Sequence, residues 1–256
     1  MLNVEASGSG PPLVVVHGFT QTARSWGEVG RRLAQRHRVL AVDAPGHGRS
    51  AAVAVGLWEG ADELIRAGGT ADYLGYSMGG RLCLHAALAA PDRVLRLVLV
   101  GATAGIADPA ERAARAAADD RLAASLVTGG DAGLPAFLEQ WLAGPLFATL
   151  APGAAALETR RANTAAGLAT SLTLMGSGAQ EPLDGRLGEL TMPVLCVVGE
   201  HDAKFRAEAE RLAAGIGDGA TVVVIPCAGH ACHLERPGPF VDAVEAWFTA
   251  TAPAPG

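Results

Sequence analysis

Gly75-Tyr76-Ser77-Met78-Gly79 places a serine with a glycine two residues away on either side, where an apolar run meets a helix-like segment. A serine between a strand and a helix must sit on a very tight turn. Glycines at those two positions remove the Cβ atoms that would clash and leave the hydroxyl exposed. The pattern also arises by chance, so its weight depends on what accompanies it. Val14-Val15-Val16-His17-Gly18-Phe19 ends a second apolar run, and the Phe19 amide there can join the Met78 amide as a pair of donors for a developing oxyanion. Gly199-Glu200-His201-Asp202 follows a third run, and Ala228-Gly229-His230 a fourth. Ser77, Asp202 and His230 then form a candidate catalytic triad: an imidazole to take the serine proton and a carboxylate to orient the imidazole.

The remaining histidines and the cysteines carry less. His47, in Asp43-Ala-Pro-Gly-His-Gly-Arg-Ser50, sits in a turn where lining the pocket and a structural role are both open. His17 reads as a support for the oxyanion turn, and His201 and His233 as structural or surface residues. Cys227, His230, Cys232 and His233 are near one another, but their spacing matches no zinc pattern, and no metal is expected.

The elements that must position these groups are legible as alternating patterns. Residues 13–17, 39–43, 71–77, 95–102, 194–199 and 221–226 are continuous apolar runs rich in β-branched residues. Such runs suggest strands buried on both faces, hence a parallel sheet. Residues 26–34, 57–67, 80–89, 205–216 and 239–249 carry apolar residues at helical spacing. The expected fold class is therefore α/β, a mostly parallel doubly wound sheet. Residues 104–182 break the alternation with Ala-rich helical segments interrupted at Gly129-Gly130, Gly144-Pro145 and Pro152-Gly153. They are expected to form a helical lid between core segments 1–103 and 183–256, over the strands' carboxyl ends where ligands of open α/β sheets bind. The tail 251–256 is expected to fray.

Composition narrows the function. The chain has 256 residues, 20 Lys and Arg against 26 Asp and Glu, and half its residues are hydrophobic. It is globular, and its net charge of −6 includes no basic stripe for nucleic acid and no polybasic membrane patch. No apolar stretch has the ~18 residues a membrane span requires. The start shows no basic segment followed by an apolar one, and the four cysteines show no paired framework, so a cytoplasmic protein with reduced thiols is expected, a monomer being favoured.

The order Ser…Asp…His is that of the α/β-hydrolase superfamily. Three segments go further: Gly75-Tyr-Ser-Met-Gly-Gly-Arg81, Gly199-Glu-His-Asp-Ala-Lys-Phe205, and Arg160-Arg-Ala-Asn-Thr-Ala-Ala-Gly-Leu-Ala-Thr-Ser-Leu172 leading into Met175-Gly-Ser-Gly-Ala-Gln180. Together they resemble the 2-succinyl-6-hydroxy-2,4-cyclohexadiene-1-carboxylate synthase family of menaquinone biosynthesis, from His17 to about Glu235 and including the lid. The resemblance implies a cofactor-free lyase that eliminates pyruvate from a small polycarboxylate. It also implies a triad at Ser77, Asp202 and His230, carboxylate-binding arginines at Arg81, Arg115 and Arg160, a pocket tyrosine at Tyr76 and a lid tryptophan at Trp141. Arg161 can stand in for Arg160, and the alternative for each lid arginine is a solvated helix face. Two other readings of the same scaffold are a serine esterase or thioesterase on a small carboxylated substrate, and a non-catalytic binding module. An intact triad argues against the module, and Arg81 beside the nucleophile against an esterase for apolar acyl chains.

Overall fold

In the computed structural model, which describes residues 1–252, the apolar runs become parallel strands. They are β2 (Pro12–Val16), β3 (Arg38–Val42), β4 (Ala71–Tyr76), β5 (Val94–Val100), β6 (Val194–Gly199) and β7 (Ala220–Ile225), joined by β1 (Val4–Ser7). The sheet order is β1-β3-β2-β4-β5-β6-β7. β1 is antiparallel to β3, with Val4 opposite Val42, and every other pair is parallel. β1 has no counterpart among the expected strands. Its four residues, Val-Glu-Ala-Ser, are only partly buried and present no apolar run. β7 differs in another way: as an edge strand paired only with β6, it leaves Val222, Val223 and Val224 partly open.

Strand pleating sends alternate side chains into two cores. Val14 and Val16 pack on one face beneath α2 (Leu57–Gly68), α3 (Met78–Ala89) and α7 (Ala203–Ile216). Leu13 and Val15 face the other way, against α1 (Gly27–Leu33), α8 (Cys232–Glu235) and α9 (Pro237–Ala250). Helices on both faces of a sheet whose strands point one way gather the loops that end those strands along a single edge.

Between β5 and β6 the chain is helical. α4 (Pro109–Leu142) is capped by Asp108, whose carboxylate accepts from the Ala110 and Glu111 amides at 2.8 Å. Its path turns at Gly130, where φ is 56°, so the expected break at Gly129-Gly130 is a kink. α5 (Leu157–Arg160) and α6 (Ala165–Met175) follow. Leu126, Leu134 and Leu138 of α4 pack against Leu168 and Leu172 of α6, a small core of their own that rests on Phe19 of the sheet domain. Residues 253–256 of the expected frayed tail lie outside the described residues. Among the described residues, no helix is long and apolar enough to cross a membrane.

Candidate active site

Ser77 occupies the junction of β4 and α3 with φ 51°, a left-handed conformation that is uncommon for a residue with a Cβ. Its amide donates to the Val100 carbonyl at 2.8 Å, which ties the turn to β5. A Cβ at Gly75 would collide with the Gly79 carbonyl, and one at Gly79 with the carbonyls of Val16 and His17. These two glycines therefore let helix and strand approach closely enough to expose the serine.

His230 Nε2 lies 3.2 Å from Ser77 Oγ, and Nδ1 lies 2.7 Å from Asp202 Oδ2. With Nδ1–H donating to the carboxylate, Nε2 is left to accept the serine proton. Asp202 heads α7, where its other oxygen accepts from the Phe205 amide at 3.2 Å and the helix N-terminus favours its charge. The His230 ring is enclosed by Phe205 and Tyr76, with centroids 4.3 and 5.3 Å away. The structure thus brings together the three residues expected to form a triad.

Phe19, expected to offer an oxyanion donor, lies in the 18–21 turn. Gly18 N donates to Gln21 Oε1 at 2.9 Å, Thr20 N to His47 Nε2 at 3.3 Å, and Gln21 N to the Gly18 carbonyl at 3.1 Å. Of these four successive amides, only that of Phe19 has no acceptor among the described residues. Met78, the first residue of α3, sits where a helix leaves its N–H without an intrahelical partner. Phe19 and Met78 both line the cavity that contains Ser77. Two neutral imidazoles brace the turn from behind. His17 donates from Nδ1 to the Gly18 carbonyl (2.8 Å) and accepts at Nε2 from Ala44 N (3.1 Å). His47 donates from Nδ1 to the Pro45 carbonyl (2.9 Å). Burial foremost pushes His17 down to about 4 and His47 down to about 3, so both are uncharged at neutral pH. His47 is therefore a brace and not a pocket wall, and His17 supports the turn as expected.

A cavity opens over Ser77, lined by Phe19, Met78, Arg81, Arg115 and Trp141 among others. Arg81 is only 6% exposed, donates to Gln180 Oε1 at 3.2 Å, and has no carboxylate partner among the described residues. Burial, with Arg115 nearby, lowers its pKa to about 10, which still leaves it charged at neutral pH. Arg115 reaches the cavity from α4 and pairs with Asp119 at 2.8 Å.

Arg160 departs from the expectation that three arginines share this wall. It is 1% exposed and absent from the cavity lining. Its guanidinium donates to the Ala155 carbonyl (2.8 Å), the Phe19 carbonyl (3.4 Å) and Thr20 Oγ1, beneath the oxyanion turn. The short α5 aims it at that turn's backbone. Arg161, by contrast, lies on the surface paired with Glu158 at 2.9 Å. Tyr76 is likewise not a cavity wall: next to Ser77 on β4, it points into the core beside α9, 4.2 Å from the His233 ring. Its hydroxyl, Arg160 Nη2 and Trp141 Nε1 are all buried without a partner. His233 is buried among these rings rather than on the surface, and Cys227 is exposed while Cys232 is buried. Among the described residues no three His, Cys, Asp or Glu side chains converge as a metal set.

Sequence reasoning missed several wall residues. Thr103 and Ser177 bring hydroxyls, and Lys204 a cation, to the cavity. Thr103 follows the end of β5 and Lys204 follows Asp202 by two, so the rule that strand ends face the site could have named both.

The sheet order, the elbow and the Ser77–His230–Asp202 geometry define an α/β-hydrolase, and the alpha/beta hydrolase family matches residues 13–243. A 2-succinyl-6-hydroxy-2,4-cyclohexadiene-1-carboxylate synthase of Salmonella paratyphi C (strain RKS4594) is 35% identical over 243 residues, covering 91% of this chain and 92% of the relative. The protein of the same name from Escherichia coli O9:H4 (strain HS) is 34% identical over 235 residues, 89% of either chain. The chain belongs to the α/β-hydrolase family and, within it, to the family of these synthases. MenH from S. aureus shares the fold, with a TM-score of 0.84 over 98% of this chain and 99% of that one at 24% identity.

Proposed function

We propose that the protein is a lyase of menaquinone biosynthesis. It eliminates pyruvate from 2-succinyl-5-enolpyruvyl-6-hydroxy-3-cyclohexene-1-carboxylate to leave 2-succinyl-6-hydroxy-2,4-cyclohexadiene-1-carboxylate. The names of its relatives support the product. The observation that carries the reading is Arg81: a buried cation in the same cavity as Ser77, with no salt bridge to a carboxylate among the described residues, the nearby Asp119 being already paired with Arg115. Burying an unpaired guanidinium is unfavourable unless an anion completes it, and a polycarboxylate does so. Arg115 is a second anion contact in the cavity. Arg160 and Tyr76 act from behind the turn, and Trp141 closes the cavity from α4.

In this mechanism His230, oriented by Asp202, takes the Ser77 proton, and the Ser77 oxygen removes the acidic C–H beside the succinyl ketone. Negative charge develops on the ketone oxygen, which the amides of Phe19 and Met78 receive. The electron pair then moves through the ring double bond and expels the enolate of pyruvate, which recovers the proton held by His230. No acyl-enzyme and no cofactor enter the sequence. Residues 104–182 serve as the lid that excludes water, and one chain suffices for the site.

The test compares two activities in wild type and Arg81→Ala. Pyruvate release is followed in a coupled assay with the enolpyruvyl substrate made in situ, and hydrolysis with p-nitrophenyl acetate. A charge-assisted hydrogen bond is worth about 1.5–3 kcal/mol, so Arg81→Ala should lower elimination kcat/KM about tenfold to a hundredfold. The apolar ester has no carboxylate and should hardly respond. If ester hydrolysis collapses to the same degree, or wild type releases no pyruvate, the reading fails.

A further inference from the structure

We infer that Asn163, carried by the helical insertion, is a positioning residue for the oxyanion hole. Its side chain buckles two loops of the sheet domain. Nδ2 donates to the Thr20 carbonyl at 2.7 Å and the Arg160 carbonyl at 2.9 Å, with the Gln21 carbonyl at 3.4 Å, and Oδ1 accepts from the Gly48 amide at 2.8 Å. Three carbonyls on one side and an N–H on the other fix which way the amide points. Only Asn or Gln offers two donors and an acceptor in one plane, and Asn163 is 5% exposed.

What it holds is a strained turn. Thr20 is β-branched, fully buried, and has φ 68°. For such a residue the left-handed region is an outlier that persists only where the surroundings impose it. Each peptide unit of the turn is held. The Gly18 carbonyl receives His17 Nδ1–H and Gln21 N–H, the Phe19 carbonyl receives Arg160, and the Thr20 carbonyl receives Asn163. Because a peptide is planar, the Phe19 N–H points opposite to the Gly18 carbonyl, so gripping that oxygen aims the free amide. Releasing the Thr20 carbonyl lets Thr20 return to negative φ. That breaks the Gln21-to-Gly18 bond and turns the Phe19 amide away from Ser77. Asn163 touches none of the reacting atoms, so its effect falls on transition-state stabilisation, not on substrate affinity.

This inference rests on the proposed elimination only for one of its two assays. The other is phosphonylation of Ser77 by a p-nitrophenyl alkylphosphonate. Ser77 Oγ attacks phosphorus, p-nitrophenolate leaves, His230 takes the hydroxyl proton, and the phosphoryl oxygen needs the two amides but no arginine. In Asn163→Ala and the near-isosteric Asn163→Asp, both kcat and the phosphonylation rate should fall about tenfold to a hundredfold, with KM within about twofold of wild type. Arg161→Ala, on the surface two residues earlier, should leave both rates unchanged. All rates are read well below each variant's melting temperature. Unchanged phosphonylation or a rise in KM at constant kcat would each overturn the assignment. If wild type releases no pyruvate, the function fails while the phosphonylation series still decides the role of Asn163.

Discussion

Acid should unfold this protein through its buried neutral histidines, at a pH where its ordinary carboxylates are still ionised. His17 and His85 are pushed down to about 4, and His47 and His233 to about 3, burial being the largest cause each time. The folded chain therefore binds fewer protons than the unfolded one wherever the unfolded histidines titrate. Stability is complete above the unfolded value of 6.5, declines as pH falls through it, and goes on declining to the folded values near 3 and 4. One pH unit below the unfolded value, each histidine has removed about 1.4 kcal/mol, and four together about 5.5 kcal/mol. A domain is commonly stable by about 5–15 kcal/mol, so the loss is a large fraction of the whole. Two of the four brace the oxyanion turn by accepting at Nε2, which a protonated ring cannot do, so activity should fall with the fold. The measurement is urea unfolding by far-UV circular dichroism at about pH 7.5, 6.5 and 5.5, with the slope of free energy against pH giving the protons taken up on unfolding. His233→Phe keeps a ring against Tyr76 (4.2 Å) and Trp26 (5.1 Å) and should reduce that uptake by about one proton near pH 5.5. Equal unfolding free energies at the highest and lowest pH would refute the reasoning.

Two further outcomes are expected. Ser77→Ala and His230→Ala should each lower pyruvate release by about 10²–10⁴ at saturating substrate, and near-wild-type turnover in either would remove Ser77 as the base. At the far side of the sheet, Arg96 grips buried Asp72 at 2.6 and 2.8 Å and the Phe248 carbonyl at 2.6 Å, so Arg96→Ala should destabilise by about 3–5 kcal/mol in chemical denaturation, and a loss below about 1 kcal/mol would show the pair to be dispensable.

The parallel strands were legible because burial on two faces demands an unbroken apolar run, as in Leu13-Val14-Val15-Val16 of β2. β1 was not, since an edge strand of four residues needs apolar side chains on one face only. The grouping of Ser77, Asp202 and His230 was legible because each follows such a run, and the carboxyl ends of parallel strands share one edge by construction. Arg81 was legible for the same reason: four residues into a helix whose start is fixed by Ser77, its direction is set. Tyr76 and Arg160 show the limit. Period-two alternation already turns Tyr76 away from the face where α3 packs, so a stricter use of strand geometry would have sent it into the core beside α9. Arg160 offers no such rule. It lies on a helix of one turn entered through Ala156 in a left-handed conformation, and no periodicity announces which way a single turn faces.

The two halves of the site are therefore held by different parts of the chain, with consequences for how the protein can fail. The triad distances depend on β4, β6 and β7 and the loops that end them, all anchored in the sheet. The Phe19 amide depends on a turn whose carbonyls are gripped by Arg160 and Asn163 of the insertion. Movement of α5 and the residues after it away from the sheet would thus disarm oxyanion stabilisation while leaving Ser77, His230 and Asp202 in register. Without a formed oxyanion hole the charge that develops on a substrate oxygen goes unstabilised, whether Ser77 acts as nucleophile or as base. Under the proposed mechanism, closure of the insertion over a substrate would do two things at once: exclude water and aim the donor that the elimination needs.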